Sequence, residues 1–492
     1  MRQLLRSIVL VSLSTMGITG VSILRNKLLA VMLGPGGVGL VAQILGLQMF
    51  AVGVVPLGMQ TGALRYIARY RAQDPELLAR FVATSARLFM WLSLAGTALC
   101  LVFLRPITAW AMESTVYAVL VIPPLLGIPF LVQTQMWLTF VQAGLDIKSY
   151  SRALIITSIL GFIVLVPLVL VWRLKGASIH LFLFAVFGYF VARWHANRAM
   201  TPELRRQIAS ARFDWSSTRD LSRFGLANLL PFALTLGFPF VIRAQIVHDM
   251  GLTANGIYQA LFAISTQYLA VPLNAMTTYS FPRISQLTDL DEINKEVNNA
   301  IHLALLFTVV GVLGILLTRD LAIRILFSDK FMAAAVLFPV QMVGDVIKAV
   351  SFGIQLPLLP QERYRARNVM AVIQYAVFAA VFFMVPARDR LQGAIWAHTV
   401  SWAVHLAIHY VYLRRVNGFR FTRENLKLLT TSLVAVCAVA AMPFPDLRWR
   451  FAGAGVTLLW IVLSVRREDV MIAYADMRAK VDARIAAGRE RT

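Results

Sequence analysis

Apolar residues run in long blocks along this chain, and short polar breaks separate them. A membrane-spanning helix needs about 20 consecutive apolar residues. The blocks meet that length and lack the ten-residue alternation of barrel strands, so they predict helices. About fourteen spans follow from this reading, each needing roughly 20 residues. They cover 7–33, 39–64, 81–104, 117–143, 153–172, 177–195, 224–247, 253–280, 299–318, 334–357, 369–386, 391–413, 428–443 and 451–465. The expected fold class is an all-α polytopic membrane protein. The first block is not a cleavable signal: it is too long, carries charges and ends without a small-residue cleavage site.

Composition agrees. Hydrophobic residues make up 59% of the chain and charged residues 14%, with a mean hydropathy of +0.70. A soluble domain is about 25% charged. The net charge of +23 raises the question of nucleic acid. The distribution answers it, because Lys and Arg gather in alternate loops, with rich segments at 193–223 and from Arg466 onward. That is the bias of loops facing the cytoplasm, so both termini are expected there and the basic segments meet anionic membrane lipids. No nucleic-acid partner is expected. The tail places Val470, Tyr474, Met477, Val481 and Ile485 at helical spacing, which suggests an amphipathic helix on the inner membrane face. Cys100 and Cys437 indicate neither a disulfide framework nor a thiolate metal site. His398, His405 and His409 share one span, but no acidic residue lies between them, and no metal or cofactor is expected.

Charges inside the spans carry most of the functional information. They are Arg25, Lys27, Arg87, Arg243 and Lys348, with Asp345 one turn from Lys348. A Lys or Arg at the bilayer centre costs roughly 2.5–3.5 kcal/mol. Five facing lipid would cost on the order of 12–18 kcal/mol, so some must line water, pair or snorkel. Arg25 and Arg243 sit too deep to snorkel easily. Lys27 is nearer the outer interface and points to another face, and Arg87 lies near the cytoplasmic end of its span. The i, i+3 spacing of Asp345 and Lys348 allows either a neutralised structural pair or a switch, in which Asp345 takes a proton or releases Lys348 to an anion. Gln43, Gln48, Gln133, Gln135, Gln259, Gln267, Asn274 and Gln374 read mainly as interhelical glue. Pro123, Pro124, Pro129, Pro231 and Pro239 predict kinks.

The deep arginines also belong to an echo. Arg25, Gly34 and Gly39 recur about 217 residues on as Arg243, Gly251 and Gly256. Arg105 and Arg319, and Tyr150 and Tyr364, repeat at a similar offset of about 214. The offset corresponds to six spans, an even number, so the repeats are parallel. The expected organisation is an N-terminal six-helix lobe at 1–195, a basic cytoplasmic linker at 196–223 and a C-terminal six-helix lobe at 224–415. Two extra spans at 416–465 and a basic tail at 466–492 complete it.

At this point the chain resembles a known family. The stretch from Leu317 to Phe331, followed by Gln341-Met-Val-Gly-Asp345-Val-Ile-Lys348, is similar to bacterial Wzx-type polysaccharide flippases, of the O-antigen and enterobacterial common antigen kinds. The glycine turn Leu33–Leu40 and the stretch Arg65–Tyr70 fit the same family. That family belongs to the multidrug/oligosaccharidyl-lipid/polysaccharide exporter superfamily. The resemblance implies two six-helix lobes around a central cavity, often with two further helices. It implies translocation of undecaprenyl-pyrophosphate-linked oligosaccharide from the cytoplasmic to the periplasmic leaflet of the bacterial inner membrane. It also implies a polysaccharide polymerase and a chain-length regulator as pathway partners. Basic cavity residues would serve the pyrophosphate, and Arg25, Arg243 and Lys348 match by motif. Arg87 and Lys27 join the candidate site by position alone, with Asp345 as a coupling residue. Two rivals stay open: a cation-coupled multidrug exporter of the same fold, and a membrane polysaccharide polymerase or ligase. The first calls for cavity carboxylates, the second for a large outer loop.

Overall fold

The computed structural model describes residues 2–442 and 447–464; the amphipathic pattern from Val470 to Ile485 and the basic tail lie outside them. The helices are α1 (Arg2–Val54), α2 (Met59–Gln73), α3 (Pro75–Val102), α4 (Leu104–Met112), α5 (Ala118–Leu126), α6 (Ile128–Ala143), α7 (Ile147–Arg198) and α8 (Pro202–Ser210). There follow α9 (Trp215–Ala275), α10 (Phe281–Ile284), α11 (Leu290–Leu326), α12 (Phe338–Ile354), α13 (Tyr364–Met384), α14 (Arg390–Asn417), α15 (Arg423–Ala440) and α16 (Leu447–Ser464). No β-strand occurs among the described residues. The chain is an all-α, multi-pass membrane protein.

Among the described residues six helices are long and apolar enough to cross a membrane, or seven if the bent pair Asp329–Val336 and Phe338–Leu358 is one span. Part of the difference from the expected fourteen is that α1 and α7 each run two expected spans through a break. Helix α1 has 53 residues, about 80 Å at 1.5 Å per residue, against a hydrocarbon core of about 30 Å. It breaks at Gly34 (φ 67°, ψ −176°). Helix α7 breaks at Arg173 (φ 47°) and α9 at Gly251 (φ 82°, ψ 172°). All three breaks fall where hydropathy separates two spans. The prolines act as expected at one place: Pro123 and Pro124 lie inside α5 and Pro129 opens α6, so the apolar block is cut at Gly127.

The described residues belong to two compact units. The first comprises 2–264, 320–335 and 371–397; the second comprises 265–319, 336–370, 398–442 and 447–464. The first unit has a continuous apolar core that includes Leu40, Phe81, Phe89, Met136 and Phe140. A close backbone approach within it joins the two echoed glycine turns. A Cβ on Gly39 would collide with the Leu252 carbonyl, and a Cβ on Gly256 with the Pro35 carbonyl. The Asn255 side-chain amide donates to the Gly39 carbonyl at 2.8 Å. The two copies of the motif therefore pack on each other reciprocally, backbone to backbone. Gly34 and Gly251 hold matching conformations that only glycine adopts cheaply.

In the second unit α12 packs on the His398–Asn417 part of α14 and on α15. Gly344 sets the first of these spacings, since a Cβ there would lie 2.6 Å from Thr399 Oγ1 and 2.7 Å from His398 Cδ2. That close approach brings polar side chains of the two helices together in a buried setting.

Candidate functional site

Arg25 lies half-buried on α1, inside the first unit. It lines a pocket with Asn26, His180, Gln259 and Phe327, and with apolar residues of α1 and α7 such as Leu29 and Leu181. Ser22, one turn back on the same helix, accepts a long hydrogen bond from its guanidinium at 3.4 Å. No carboxylate lines the pocket. Two of its polar groups are left over: His180 Nε2 and Gln259 Oε1 are buried without hydrogen-bond partners. An unmet buried polar group costs about 1–3 kcal/mol. The guanidinium's five donors suit an anionic group, and the unmet Gln259 carbonyl oxygen, an acceptor, suits a hydroxyl or N–H of the same guest.

Arg243 is 8% exposed on α9. Its guanidinium lies 5.0 Å from the centroid of Phe262 and 5.8 Å from that of Tyr258, and its Nε is buried without a partner. Cation–π contacts return about 0.5–2 kcal/mol. Burying the charge costs several kcal/mol, so the rings do not balance it. The nearest acid on its helix, Asp249, is taken by Arg390, whose Nε lies 2.5 Å from Asp249 Oδ2. Tyr258 and Gln259 are consecutive, so the aromatic cover of Arg243 and the Arg25 pocket draw on neighbouring residues of α9.

The other two basic candidates of this unit are engaged with main chain. Lys27 Nζ donates to the Arg324 carbonyl at 2.6 Å, near the C-terminus of α11, where a cation complements the helix dipole. Arg87 donates to the Ala211 carbonyl at 2.8 Å. Beside it Trp91 stacks on Phe213, and Thr84 accepts from the Asp214 N–H at 3.0 Å. These contacts fasten the start of the 211–214 connection to α3. Neither Lys27 nor Arg87 lines the Arg25 pocket.

In the second unit Asp345 is fully buried. Its Oδ2 accepts from Ser265 Oγ at 2.6 Å and Tyr268 Oη at 2.5 Å. Its Oδ1 faces Gln341 Nε2 at 3.2 Å and His398 Nε2 at 3.0 Å. Lys348 does not close an ion pair with it. The ammonium lies 5.5 Å from the centroid of Trp402 instead. The sequence spacing puts Asp345 and Lys348 on one face, as expected, but the carboxylate is claimed by α9 and α14.

Sequence reasoning missed His180 as a pocket residue and His398 and Tyr268 as partners of Asp345. All three pairings join residues far apart in the chain, and no local spacing signals them. Gln259 read as interhelical glue, yet its carbonyl oxygen is unmet. Among the described residues no group of three or more His, Cys, Asp or Glu is placed to hold a metal ion.

The chain is 26% identical over 403 residues to the lipid III flippase of Escherichia coli (strain K12), covering 80% of this chain and 94% of that protein. It is 22% identical over 404 residues to a putative O-antigen transporter of Shigella flexneri, covering 78% and 90%. No family model matches it. Among solved structures it is similar to an inward-facing multidrug resistance MATE family transporter of the MOP superfamily, with a TM-score of 0.70, 15% identity and coverage of 84% and 99%. It is similar to the lipid II flippase MurJ in an inward closed conformation, with a TM-score of 0.70, 14% identity and coverage of 95% and 99%. The fold is the one these transporters share.

Proposed function

We propose that this chain is a transporter rather than an enzyme, and that it flips undecaprenyl-pyrophosphate-linked oligosaccharide from the cytoplasmic to the periplasmic leaflet of the inner membrane. The observation that carries the reading is the Arg25 pocket, with a cation, no carboxylate and the unmet His180 and Gln259 groups. A pyrophosphate headgroup is anionic, and arginine's planar fork suits it. Arg243, buried without an anion, is the second candidate for the same headgroup. Lys348 is the third, free to leave Trp402 when an anion arrives. The similarity to a lipid III flippase and a putative O-antigen transporter supports a lipid-linked sugar as cargo.

Two six-helix lobes, 1–195 and 224–415, would work by alternating access through a cationic cavity. Both termini would face the cytoplasm, following the basic loops. Lys27 and Arg87 take supporting roles in this scheme, holding main chain. Polymerase and chain-length regulator remain the proposed pathway partners.

The fold alone does not separate this reading from a drug exporter, since the multidrug transporter and the lipid flippase match with the same TM-score of 0.70. The charges do. A pocket for cationic drugs needs a carboxylate, whereas the Arg25 pocket has none, and the buried Asp345 is already held by four partners.

The test is cross-complementation of bacterial strains that each lack one defined flippase. Rescue of surface polysaccharide in one strain supports the reading and identifies the sugar. Failure in every strain, with the protein present in the membrane, rejects it. Within a rescued strain, Arg243→Ala is expected to abolish rescue at normal expression.

A further inference from the structure

A column of buried and half-buried polar side chains runs between α12 and the His398–Asn417 part of α14, within the second unit. Its α12 members are Gln341, Asp345, Lys348 and Ser351; its α14 members are His398, Trp402, His405 and His409. Both series advance by three or four residues, so each occupies one helix face. The members meet rung by rung. His398 Nε2 faces Asp345 Oδ1 at 3.0 Å, Lys348 lies over Trp402, and Ser351 Oγ faces His405 Nδ1 at 2.5 Å. The His405 and His409 rings are 3.9 Å apart between centroids. From His398 to His409 the column covers about 16 Å at 1.5 Å per residue, roughly half of the ~30 Å hydrocarbon core.

Packing alone does not call for this. Well-packed apolar residues in place of buried ionisable groups are often as stable or more so. His409 is fully buried, and its Nδ1 donates to the His405 carbonyl at 2.8 Å. Its Nε2 is therefore a lone pair when the ring is neutral, and that atom is buried without a partner. An unpartnered proton acceptor stands at one end of the column, and a carboxylate surrounded by exchangeable donors stands at the other.

We propose that this column carries protons, and that their passage drives transport; the second clause rests on the flippase reading. A proton enters on His409 Nε2, whose Nδ1–H stays on the His405 carbonyl. His409 passes it to His405, and His405 returns to neutrality by giving a proton to the Ser351 hydroxyl as that hydroxyl gives up its own. The Lys348 ammonium releases a proton to Asp345 and is restored from Ser351, so Asp345 gains one proton and every other group regains its count. No electron moves, and one proton enters for each that later leaves Asp345. Neutral Asp345 breaks its own hydrogen-bond pattern. A proton on Oδ1 finds the Gln341 amide N–H₂ unable to accept, while His398 can accept by moving its ring proton to Nδ1. Ser265 and Tyr268 lose charge-assisted bonds, which are roughly twice as strong as neutral ones. The α9, α12 and α14 segments of this unit are thus held by an ionised Asp345 and loosened by a protonated one.

The groups facing the column are few. Tyr268 from α9, His398 from α14 and Lys348 on its own helix face Asp345. His405 and His409 face each other. Arg363, ahead of α13, lies over Tyr412, one turn beyond His409. Helix α15 turns Asn425, Leu428, Ser432 and Val436 inward, with Arg423, Glu424 and Lys427 exposed. His302 of α11 is bound to Asn425.

The experiment uses the full chain in proteoliposomes with a trapped pH dye and an acid step outside. The wild type is expected to acidify the lumen faster than protein-free liposomes do. His405→Gln and His409→Gln are expected to fall back to the protein-free rate. His409→Asn covers the case in which those variants do not fold, because it keeps a donor to the His405 carbonyl without a titratable ring. A wild-type rate equal to that of protein-free liposomes overturns the proposal, as does an unchanged rate in folded His409→Asn. Adding undecaprenyl pyrophosphate to the bilayer reads the coupling, and a faster wild-type rate is expected. Binding of that lipid with no change in rate rejects the coupling. No binding, with the histidine-dependent flux intact, rejects the flippase reading and leaves the proton column standing.

Discussion

Arg25 and Arg243 differ in what surrounds them, and the difference sets what each substitution does. Arg25 lines a pocket and can grip a guest with two or more N–H donors. Each lost charge-assisted bond is worth about 1.5–3 kcal/mol, or roughly 10–150-fold in Kd. Arg25→Ala is expected to weaken undecaprenyl pyrophosphate binding by that much in a titration in nanodiscs, with Arg25→Lys between it and wild type because a point charge replaces a fork. Asp345 behaves differently. Asp345→Ala strands Ser265, Tyr268, Gln341 and His398 at once, and breaking a buried charge network costs about 3–5 kcal/mol. Its expected signature is a lowered melting temperature rather than a binding defect alone. The arginines were legible in the sequence because a charge deep in an apolar block is costly wherever it occurs. His180 was not, because a single histidine in an apolar run has no special spacing, and only the packing of α7 beside α1 gives it a pocket to face. The Asp345–Lys348 pairing was legible as a shared face. The loss of that pair to His398 and Trp402 depends on Gly344 letting α14 approach, which no local pattern encodes.

At the scale of the elements, hydropathy located the connections better than it counted the helices. It marks where apolar character lapses, and Gly34, Arg173 and Gly251 fall in those lapses. It does not reveal that the backbone resumes helical geometry at once, so neighbouring spans merge into one helix. The glycine turns make a sharper case. Gly34→Ala forces a side chain into a conformation reserved for glycine, at about 1–3 kcal/mol. Gly39→Ala and Gly256→Ala drive a methyl group into the facing carbonyl, with overpacking also worth about 1–3 kcal/mol. Because each glycine faces the other's segment, the double variant Gly39→Ala/Gly256→Ala is expected to lose less than the sum of the two single losses. Thermal unfolding of the four proteins in one detergent checks this, and strict additivity would mean that the two turns do not share a contact.

For the whole molecule the proposed function turns on direction, because a flippase is defined by the leaflet it starts from. The basic 193–223 segment and tail favour both termini inside. A fluorescent-protein fusion after Ser464 is expected to glow, and a periplasmic alkaline phosphatase fusion at the same point to stay inactive; the reverse pattern would invert the proposed path of the cargo. The reciprocal glycine turns bear on the history of the chain as well. Where one copy of the motif vacates the space of a side chain, the other copy's main chain fills it, so neither copy is free to drift alone. A library that randomises Gly39 and Gly256 together is expected to return glycine at both, although the two halves share little other sequence around them. A trace of the proposed repeat would then survive at a place where its two copies hold each other to account.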